Sequence, residues 1–367
     1  MHFGKVSDRI VHSDRLDPIE HGSLHKPVHS NVAYGYSDAR ELAAVFQGTK
    51  AGMTYGRQVN PTVTALEAKL TRMEQGVQTV CFSTGMAAIG SLIFSLLRAG
   101  DHFVSSAFLF GNTNSLFQTF ATHGVDVTFV DATSVEAVEA AITPRTRAIV
   151  TVSPNNPTGA VYPAATLRAV NALCAERGIY HLSDEAYAPF TWDGAEHFSP
   201  ASLPGAAGHT ISLHSMSKAF GFASWRIGWL VFPAPLESAL RKVQDTLVIC
   251  PPVVSQFAAL GALEAGGDWV RGKVAGIADN RRILRDALRP LGEEGRVTAP
   301  PADGAFYFLV RARSTRPALE LAERLVREHP TISCGIHVDQ IYELNLNSRT
   351  FTADGHFWLE WPASVQE

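Results

Sequence analysis

Cysteine is scarce in this chain of 367 residues, and the few cysteines lie far apart. The four, Cys81, Cys174, Cys250 and Cys334, form no CxxC pair. Neither a disulfide framework nor a zinc site is therefore indicated, and we expect no bound metal. A reducing, cytoplasmic location is the default expectation.

Long apolar runs and a strong charge bias are also missing. No run reaches the roughly 18 residues of a membrane-spanning helix, and the polar first residues lack the apolar core of a signal peptide. The formal net charge is −4, which argues against nucleic acid or an anionic membrane surface as a partner. With 46% apolar and 18% charged residues, the composition excludes a disordered chain or a coiled coil.

The common nucleotide-binding and hydrolytic motifs are absent as well. The chain contains no GxGxxG, GxxxxGK[ST], HExxH or GxSxG motif. Dinucleotide-binding, P-loop, zinc-protease and serine-hydrolase functions therefore lose their usual support.

Segments with helix and strand periodicity alternate between residues 61 and about 250. PTVTALEAKLTRMEQG and GMAAIGSLIFSLLRAG predict helices, the second ending at Gly100, and VQTVCFS and HTISLHS predict strands. Strands separated by helices indicate a mainly parallel sheet. We predict an α/β fold with an N-terminal arm (1–45), a large domain (46–255) and a smaller α+β C-terminal domain (256–367), in which GAFYFLV forms a strand.

Three polar segments follow predicted strands, where open α/β sheets bind their ligands. They are SPNNPTG at 153–159, SDEAY at 183–187 and SMSKAFG at 215–221. Taken singly, each has a plain structural explanation: a turn rich in Asn, Pro and Gly, a capped strand end, or an exposed lysine. A lysine among aromatic and hydroxyl side chains can also be a nucleophile.

Together the three segments meet the requirements of a pyridoxal-phosphate site. A lysine condenses with the cofactor aldehyde, a carboxylate keeps the pyridine nitrogen protonated, and a phenol and an amide bond the ring oxygen. Hydroxyl groups, backbone amides at a helix start and an arginine hold the phosphate. The expected cofactor is therefore pyridoxal 5'-phosphate.

Residues from about 140 to 311 resemble the class I/II aminotransferases of pyridoxal-phosphate fold type I. The resemblance rests on AITPRTRAIVTVSPNNPTGAVYP, LSDEAY, SMSKAFGFASWRIGW and DGAFYFLV. It implies that Lys218 holds the cofactor as a Schiff base and later moves the Cα proton, and that Asp184 pairs with the pyridine nitrogen. The other contacts that it implies are Asn156 and Tyr187 with the ring oxygen, and Ser215, Ser217 and Arg226 with the phosphate.

Residues from about 10 to 140 resemble another branch of this fold, the O-acetylhomoserine sulfhydrylase group of Cys/Met-metabolism enzymes. The resemblance rests on YGRQVNPTVTALEAKLTRMEQG, FSTGMAAIGSLIFSLLRAGDHFVSSAFLFGNTNSL and FVDAT. It implies that Tyr55, as a catalytic residue, and Arg57 reach across a dimer interface to the neighbour's phosphate. It also implies that Gly85 and Met86 give backbone amides to the phosphate and that Phe110 stacks on the ring. Without the resemblance, Arg57 is a surface charge and Phe110 a core aromatic.

One expected aminotransferase feature is missing near the end of the chain. These enzymes bind the substrate α-carboxylate with an arginine, whose planar fork suits a carboxylate, in a segment resembling GHxRLSYATSEE. Here the segment reads GHFWLEWPA and has Trp358 at the place of that arginine. Arg349 is the candidate substitute in substrate binding, and a plain loop arginine is the alternative.

Two reaction classes begin with the loss of the substrate Cα proton to Lys218. In γ-elimination or γ-replacement a group leaves Cγ, whereas in transamination the proton returns to the cofactor and a keto acid leaves. The missing arginine argues against transamination, and a large leaving group offers other binding energy. We therefore predict γ-replacement on an O-acyl-homoserine or S-adenosylmethionine type of substrate, forming a C–S or C–C bond. Class I/II aminotransfer is the alternative.

Two further expectations concern assembly and activity. Because the resemblance builds the site from two chains, we predict a homodimer or a dimer of dimers that takes an amino-acid substrate and a second small-molecule acceptor. A non-catalytic module of the same fold is the remaining alternative, and the intact Lys218 and Asp184 argue against it.

Overall fold

Seven strands form the central sheet of the protein, for which the computed structural model describes residues 28–328, 333–345 and 350–360. The strands are β1 (Gln78–Phe82), β2 (His102–Ser106), β3 (Asp126–Val130), β4 (Thr146–Val152), β5 (Tyr180–Asp184), β6 (Thr210–Ser215) and β7 (Gly228–Phe232). Their order is β1-β7-β6-β5-β4-β2-β3. β2 to β6 pair in parallel, and β7 is antiparallel to both β1 and β6. The predicted α/β fold with a mainly parallel sheet is confirmed.

Helices connect the strands and pack on both faces of the sheet. They are α1 (Ala39–Phe46), α2 (Pro61–Met73), α3 (Gly85–Leu96), α4 (Gly111–Ala121), α5 (Val135–Ala140), α6 (Ala164–Arg177), α7 (Met216–Ala219) and α8 (Glu237–Val243). Side chains alternate between the faces of a strand, and β1 shows the result. Phe82 packs in one core cluster with Leu92 of α3, whereas Cys81 packs in another with Leu66 and Leu70 of α2.

Local sequence explains where the helices around the site begin and end. α2 begins where Asn60 accepts a hydrogen bond from the Thr62 N–H and Pro61 occupies the first helical position, a place that proline favours. α3 ends at Leu96 and not at Gly100 as predicted, because Leu97 is extended and Asp101 accepts the N–H of Arg98 at 2.8 Å. This side-chain hydrogen bond takes the place of a further helical turn.

The chain after residue 250 contains one long helical segment followed by short strands and a hairpin. The elements are α9 (Val253–Glu293), which has a break with non-helical backbone angles at Gly266, β8 (Val297–Thr298), β9 (Arg311–Ala312), α10 (Ala318–Glu328), β10 (Ser333–Asn345) and β11 (Thr350–Glu360). β8 pairs with β9, and β10 with β11, both antiparallel. The predicted domain boundaries at 45 and 255 stay predictions.

The predicted strand GAFYFLV is wrong, because none of its residues 304–310 lies in a strand and β9 begins only after them, at Arg311. Ala305 has a positive φ of 55°, which interrupts an extended backbone. The N–H of Gly304 donates to the Gly159 carbonyl at 2.7 Å, and that of Ala305 to the Phe190 carbonyl at 2.9 Å. The segment is therefore tied to two separate loops instead of to a neighbouring strand.

Among the residues that the structure describes, no helix combines the length and the apolar character needed to cross a membrane.

Candidate active site

The carboxyl ends of six strands lie along one edge of the sheet. These are β1 to β6, because β2 to β6 run in parallel and β7, which is antiparallel to both β1 and β6, begins at the same edge. Gly228, at the start of β7, lies in register between Phe82 of β1 and Ser215 of β6. Asp184 ends β5. The polar segments found in the sequence thus come together at the edge where such sheets bind ligands.

Two glycines bring the start of α3 close to the end of β6. A Cβ atom at Gly228 would lie 2.6 Å from the backbone nitrogen of Gly85, and one at Gly85 would lie 3.5 Å from the Cβ of Ser215. Thr84 caps the helix by accepting an N–H of its first turn. N–H groups in a first turn have no partner within the helix and attract anions. The amides of Gly85 and Met86 and the Ser215 hydroxyl therefore form a donor set that suits a phosphate group.

Ser217 and Arg226, the other phosphate contacts predicted for this edge, are held differently. The backbone N–H of Ser217 donates to Oγ of Ser215 at 3.1 Å, so the two serines are adjacent. Arg226 lies in an exposed turn before β7 with a φ of 62°, and its guanidinium donates to the Ala223 carbonyl. Arg226 is thus close to Gly228 along the chain but is bonded within its own turn.

The neighbouring carboxyl groups of Asp184 and Glu185 have opposite pKa shifts. Burial raises the pKa of Asp184 to about 6, against the opposing charge of His214. Burial also disfavours ionised Glu185, but hydrogen bonds from His197 at 3.1 Å and Ser199 at 2.8 Å, together with the histidine charges, outweigh it and lower the pKa to about 2. Glu185 is thus a fixed anion, while Asp184, whose carboxyl accepts the Ala186 N–H at 3.1 Å, has a pKa of about 6.

Tyr187 and Lys218 lie beside each other at the same edge. The Lys218 Nζ lies 5.6 Å from the centre of the Tyr187 ring and 5.9 Å from that of Phe306. Asn156 Nδ2 donates to the Tyr187 hydroxyl at 3.2 Å, and the hydroxyl of Tyr307 lies 2.6 Å from it. Burial raises the pKa of Tyr187 well above its ordinary value, so it stays a neutral phenol.

Three residues predicted from the front half, Tyr55, Arg57 and Phe110, have exposed side chains. Phe110 precedes the first turn of α4 and has 46% of its surface exposed, so it is not a core aromatic. Tyr55 is 40% exposed. The Arg57 guanidinium lies 5.2 Å from the Tyr55 ring centre, and its Nε donates to Asp245 at 2.9 Å. Within one chain Arg57 is therefore paired with Asp245, and its action on a neighbouring subunit stays a prediction.

Of the two predicted substrate-binding residues, only Trp358 lies within the described part of the chain. Trp358 lies in β11, where its backbone is opposite Gly335 of β10. Arg349 lies outside the described residues. The proposed contact of either residue with a substrate stays a prediction.

Sequence reasoning missed two groups of residues at this edge. Tyr307 and Phe306, although part of the quoted GAFYFLV segment, were not expected beside Tyr187 and Lys218. The pairing of Glu185 with His197 and Ser199 was also missed, and the carboxylate directly after Asp184 was the available signal. Both groups depend on contacts between distant parts of the chain, which periodicity does not reveal.

Comparisons with known proteins point to one family. The family model described as aminotransferase class I and II matches residues 40–349. An arginine–pyruvate transaminase of Pseudomonas aeruginosa is 33% identical over 258 residues, which are 69% of this chain and 64% of that protein. An aspartate/prephenate aminotransferase of Thermus thermophilus is 38% identical over 235 residues, 63% of this chain and 56% of that protein. The matched part of this chain thus spans less than two thirds of either relative.

Solved structures give the same picture. A double mutant of Thermus thermophilus aspartate aminotransferase superposes with a TM-score of 0.65 at 28% identity and covers 81% of each chain. The N-succinyldiaminopimelate aminotransferase of Mycobacterium tuberculosis, at 23% identity and a TM-score of 0.65, shares the fold.

These matches correct two of the expectations drawn from the sequence. They support the aminotransferase resemblance, and they give no support to the sulfhydrylase resemblance of residues 10–140 or to γ-replacement. The physical reason is that a helix start able to hold a phosphate and an aromatic able to cover a ring serve either reaction. The front half therefore did not distinguish between them.

Proposed function

The chain belongs to the class I and II aminotransferases, a family that depends on pyridoxal 5'-phosphate, and on that premise we propose that it transfers an amino group between an amino acid and a keto acid. The observation that carries the proposal is the position of Lys218 beside Tyr187, at the sheet edge where Asp184 and the start of α3 also lie. The names of the relatives favour amino and keto acids as the two small-molecule substrates.

The residues at this edge fit the cofactor. When bound, pyridoxal phosphate supplies an aldehyde that joins an amine and a pyridine ring that withdraws electrons. The Asp184 carboxyl would meet the ring nitrogen, where a positive charge lowers the pKa of a carboxyl group and ionises it. Asn156 and Tyr187 would meet the ring oxygen, and Phe110 would cover the ring. The raised pKa of Asp184, about 6 in the protein without cofactor, supports this placement, because a buried carboxyl group of this kind gains most from a positive partner.

The phosphate would lie at the start of α3. The amides of Gly85 and Met86 and the Ser217 hydroxyl would donate hydrogen bonds there, and the Ser215 hydroxyl would join them by leaving its present acceptor, the Ile227 carbonyl at 3.3 Å. Arg226 would add charge by exchanging its present bond with Ala223 for one with the phosphate. Charge-assisted hydrogen bonds from arginine are among the strongest in proteins.

Lys218 would hold the cofactor and then move the proton from the substrate Cα. The centres of the Tyr187 and Phe306 rings lie 5.6 and 5.9 Å from its Nζ, within the range at which aromatic rings attract a cation. In a homodimer, Tyr55 and Arg57 of one protomer would complete the phosphate site of its partner. Arg349 or the region of Trp358 would bind the substrate carboxylate.

The first experiment is a visible absorbance spectrum of the purified chain with pyridoxal phosphate. We expect a band that Lys218→Ala removes and that the control Lys242→Ala, at an exposed lysine of α8, retains. Arginine or aspartate should bleach the band, and pyruvate or another keto acid should restore it with formation of a new amino acid. Absence of any band would contradict the proposal. Release of acetate from O-acetylhomoserine without amino transfer would contradict transamination alone.

A further inference from the structure

The hydroxyl group of Tyr187 has two hydrogen-bond partners within the chain, but it has only one proton to donate. It has a single proton to donate and can accept hydrogen bonds at its oxygen. Asn156 Nδ2, which can only donate, lies 3.2 Å away and uses the oxygen as acceptor. The Tyr307 hydroxyl, 2.6 Å away, can act in either direction. The direction of this second bond decides where the proton of Tyr187 points.

Two arrangements are chemically distinct. If Tyr187 donates to Tyr307, no proton remains for a cofactor oxygen. If Tyr307 donates, Tyr187 accepts two hydrogen bonds and its own proton is free for a third group. A neutral phenol that accepts hydrogen bonds is also a better donor, because hydrogen bonds in a chain polarise one another.

The position of Tyr307 is fixed by the segment that carries it. Gly304 donates to the Gly159 carbonyl in the loop of Asn156, and Ala305 donates to the Phe190 carbonyl in the loop after Tyr187. Its backbone also lies close, since a Cβ atom at Gly159 would be 2.9 Å from the carbonyl oxygen of Tyr307. The ring is buried and meets the Tyr187 ring edge-on at 5.5 Å. The segment thus ties together both loops that place donors at the ring oxygen.

We propose that Tyr307 is a positioning residue for the reaction, whose hydroxyl donates to the Tyr187 oxygen and thereby directs the only proton of Tyr187 to the ring oxygen of the cofactor. This inference rests on the proposed function, which places that oxygen beside Tyr187. Tyr307 acts through Tyr187 and need not touch the cofactor. Among the described residues, the other titratable groups acting on Tyr187 are Asp184 at the end of β5 and Lys218 of α7.

The expected consequence is a shift in the pH midpoint of the visible absorbance of the resting holoenzyme. A hydrogen bond donated to the ring oxygen stabilises its negative charge, so the Lys218 nitrogen attached next to it loses its proton at a lower pH. Removing the donor in Tyr187→Phe should raise the midpoint by about one pH unit, the equivalent of one hydrogen bond. Tyr307→Phe should raise it by roughly 0.3 units, because only the polarisation is lost.

The test measures this midpoint in wild type, Tyr187→Phe, Tyr307→Phe and the double variant. The control is Tyr162→Phe, which removes another buried phenol, one bonded to Ser106 at 3.0 Å, and should leave the midpoint unchanged. Tyr307→Phe should have no further effect in the Tyr187→Phe background, since it acts through that hydroxyl. A general loss of packing would not give this non-additivity.

The outcomes separate this inference from the function on which it rests. A wild-type protein that binds no pyridoxal phosphate overturns both. An unchanged midpoint in Tyr187→Phe overturns the placement of Tyr187 and this inference, while transamination itself can stand. A lowered midpoint in Tyr307→Phe would mean that Tyr307 takes the proton of Tyr187 and competes with the cofactor. That result, or full additivity in the double variant, overturns this inference alone.

Discussion

Two regions of the candidate site are held in different ways. The inner cluster, defined as Asn156, Asp184, Tyr187 and Tyr307, is fixed by strand ends and by hydrogen bonds within the chain. The outer group is defined as Tyr55, Arg57, Phe110 and Arg226, whose side chains are exposed or bonded to groups outside the cluster. A single chain can thus hold the groups for a cofactor ring in place before the cofactor binds. The charged groups proposed for the phosphate would take up their positions only with a ligand or in a dimer.

The largest expected effect lies in the inner cluster. Asp184→Asn should reduce kcat/KM for transamination by about a thousandfold, because it leaves a buried positive charge on the cofactor ring unpaired, at a cost of about 3–5 kcal/mol. The control Asp279→Asn, at an exposed aspartate of α9 that pairs with Arg282, should retain wild-type kinetics. An Asp184→Asn enzyme within tenfold of wild type would show that this carboxylate is not the partner of the ring.

The next effect concerns the contribution of the two adjacent carboxyl groups, Asp184 and Glu185, to the free energy of unfolding. The pKa of Glu185 lies below its ordinary value of 4.5, so its stabilising contribution is present above that pH and is lost as the pH falls toward 2. Glu185→Gln should lower the free energy of unfolding at pH 7 by about 2–3 kcal/mol, because charge-assisted bonds to His197 and Ser199 are lost. It should also flatten the decline in stability below pH 4.5.

In the cofactor-free protein, the ionised Asp184 carboxyl should lower the free energy of unfolding, whereas that of Glu185 raises it. Its folded-state pKa of about 6 lies above the ordinary value of 3.8, so stability decreases as the pH rises between these values. Asp184→Asn should therefore raise the free energy of unfolding at pH 7 by about 2–3 kcal/mol. Urea unfolding at pH 3, 5 and 7 checks both variants. If Asp184→Asn destabilised the protein at pH 7 as Glu185→Gln does, the proposed difference between the two carboxyl groups would be wrong.

The smallest expected effect concerns the outer group and the second copy. Arg57→Gln should weaken the binding of pyridoxal phosphate about tenfold, the equivalent of one charged hydrogen bond. Arg40→Gln, at another exposed arginine that pairs with an aspartate, is the control and should bind normally. If Arg57 acts across a symmetric dimer, mixing Arg57→Gln with Lys218→Ala subunits should give one complete site per mixed dimer, so that about a quarter of all sites bind pyridoxal phosphate with wild-type affinity and Lys218 present. No recovery on mixing would place Arg57 outside the partner's site.

Much of the fold and the inner cluster could be predicted from sequence because the signals are local. Alternating periodicity identified the parallel sheet, and the segments 153–159, 183–187 and 215–221 identified its ligand edge. Asp184, Tyr187 and Lys218 were found because Asp184 ends a strand of the sheet and the other two lie three residues beyond the end of one. The same local signals gave the wrong end for α3 and a wrong strand for GAFYFLV. A hydrophobic pattern does not reveal that Asp101 accepts the Arg98 N–H, or that Ala305 has a positive φ.

The sequence by itself determined the chemistry available at the site: an amine, a carboxylate, a phenol and an amide, each within a few residues of the end of a strand. Only the tertiary structure decided which groups are paired. Tyr307 reaches Tyr187 across 120 positions, and Arg57 reaches Asp245 across 188. Hydrogen-bond direction and pKa depend on such distances and on burial. The sequence therefore supplied the functional groups, and the fold determined which of them form hydrogen bonds and which are ionised.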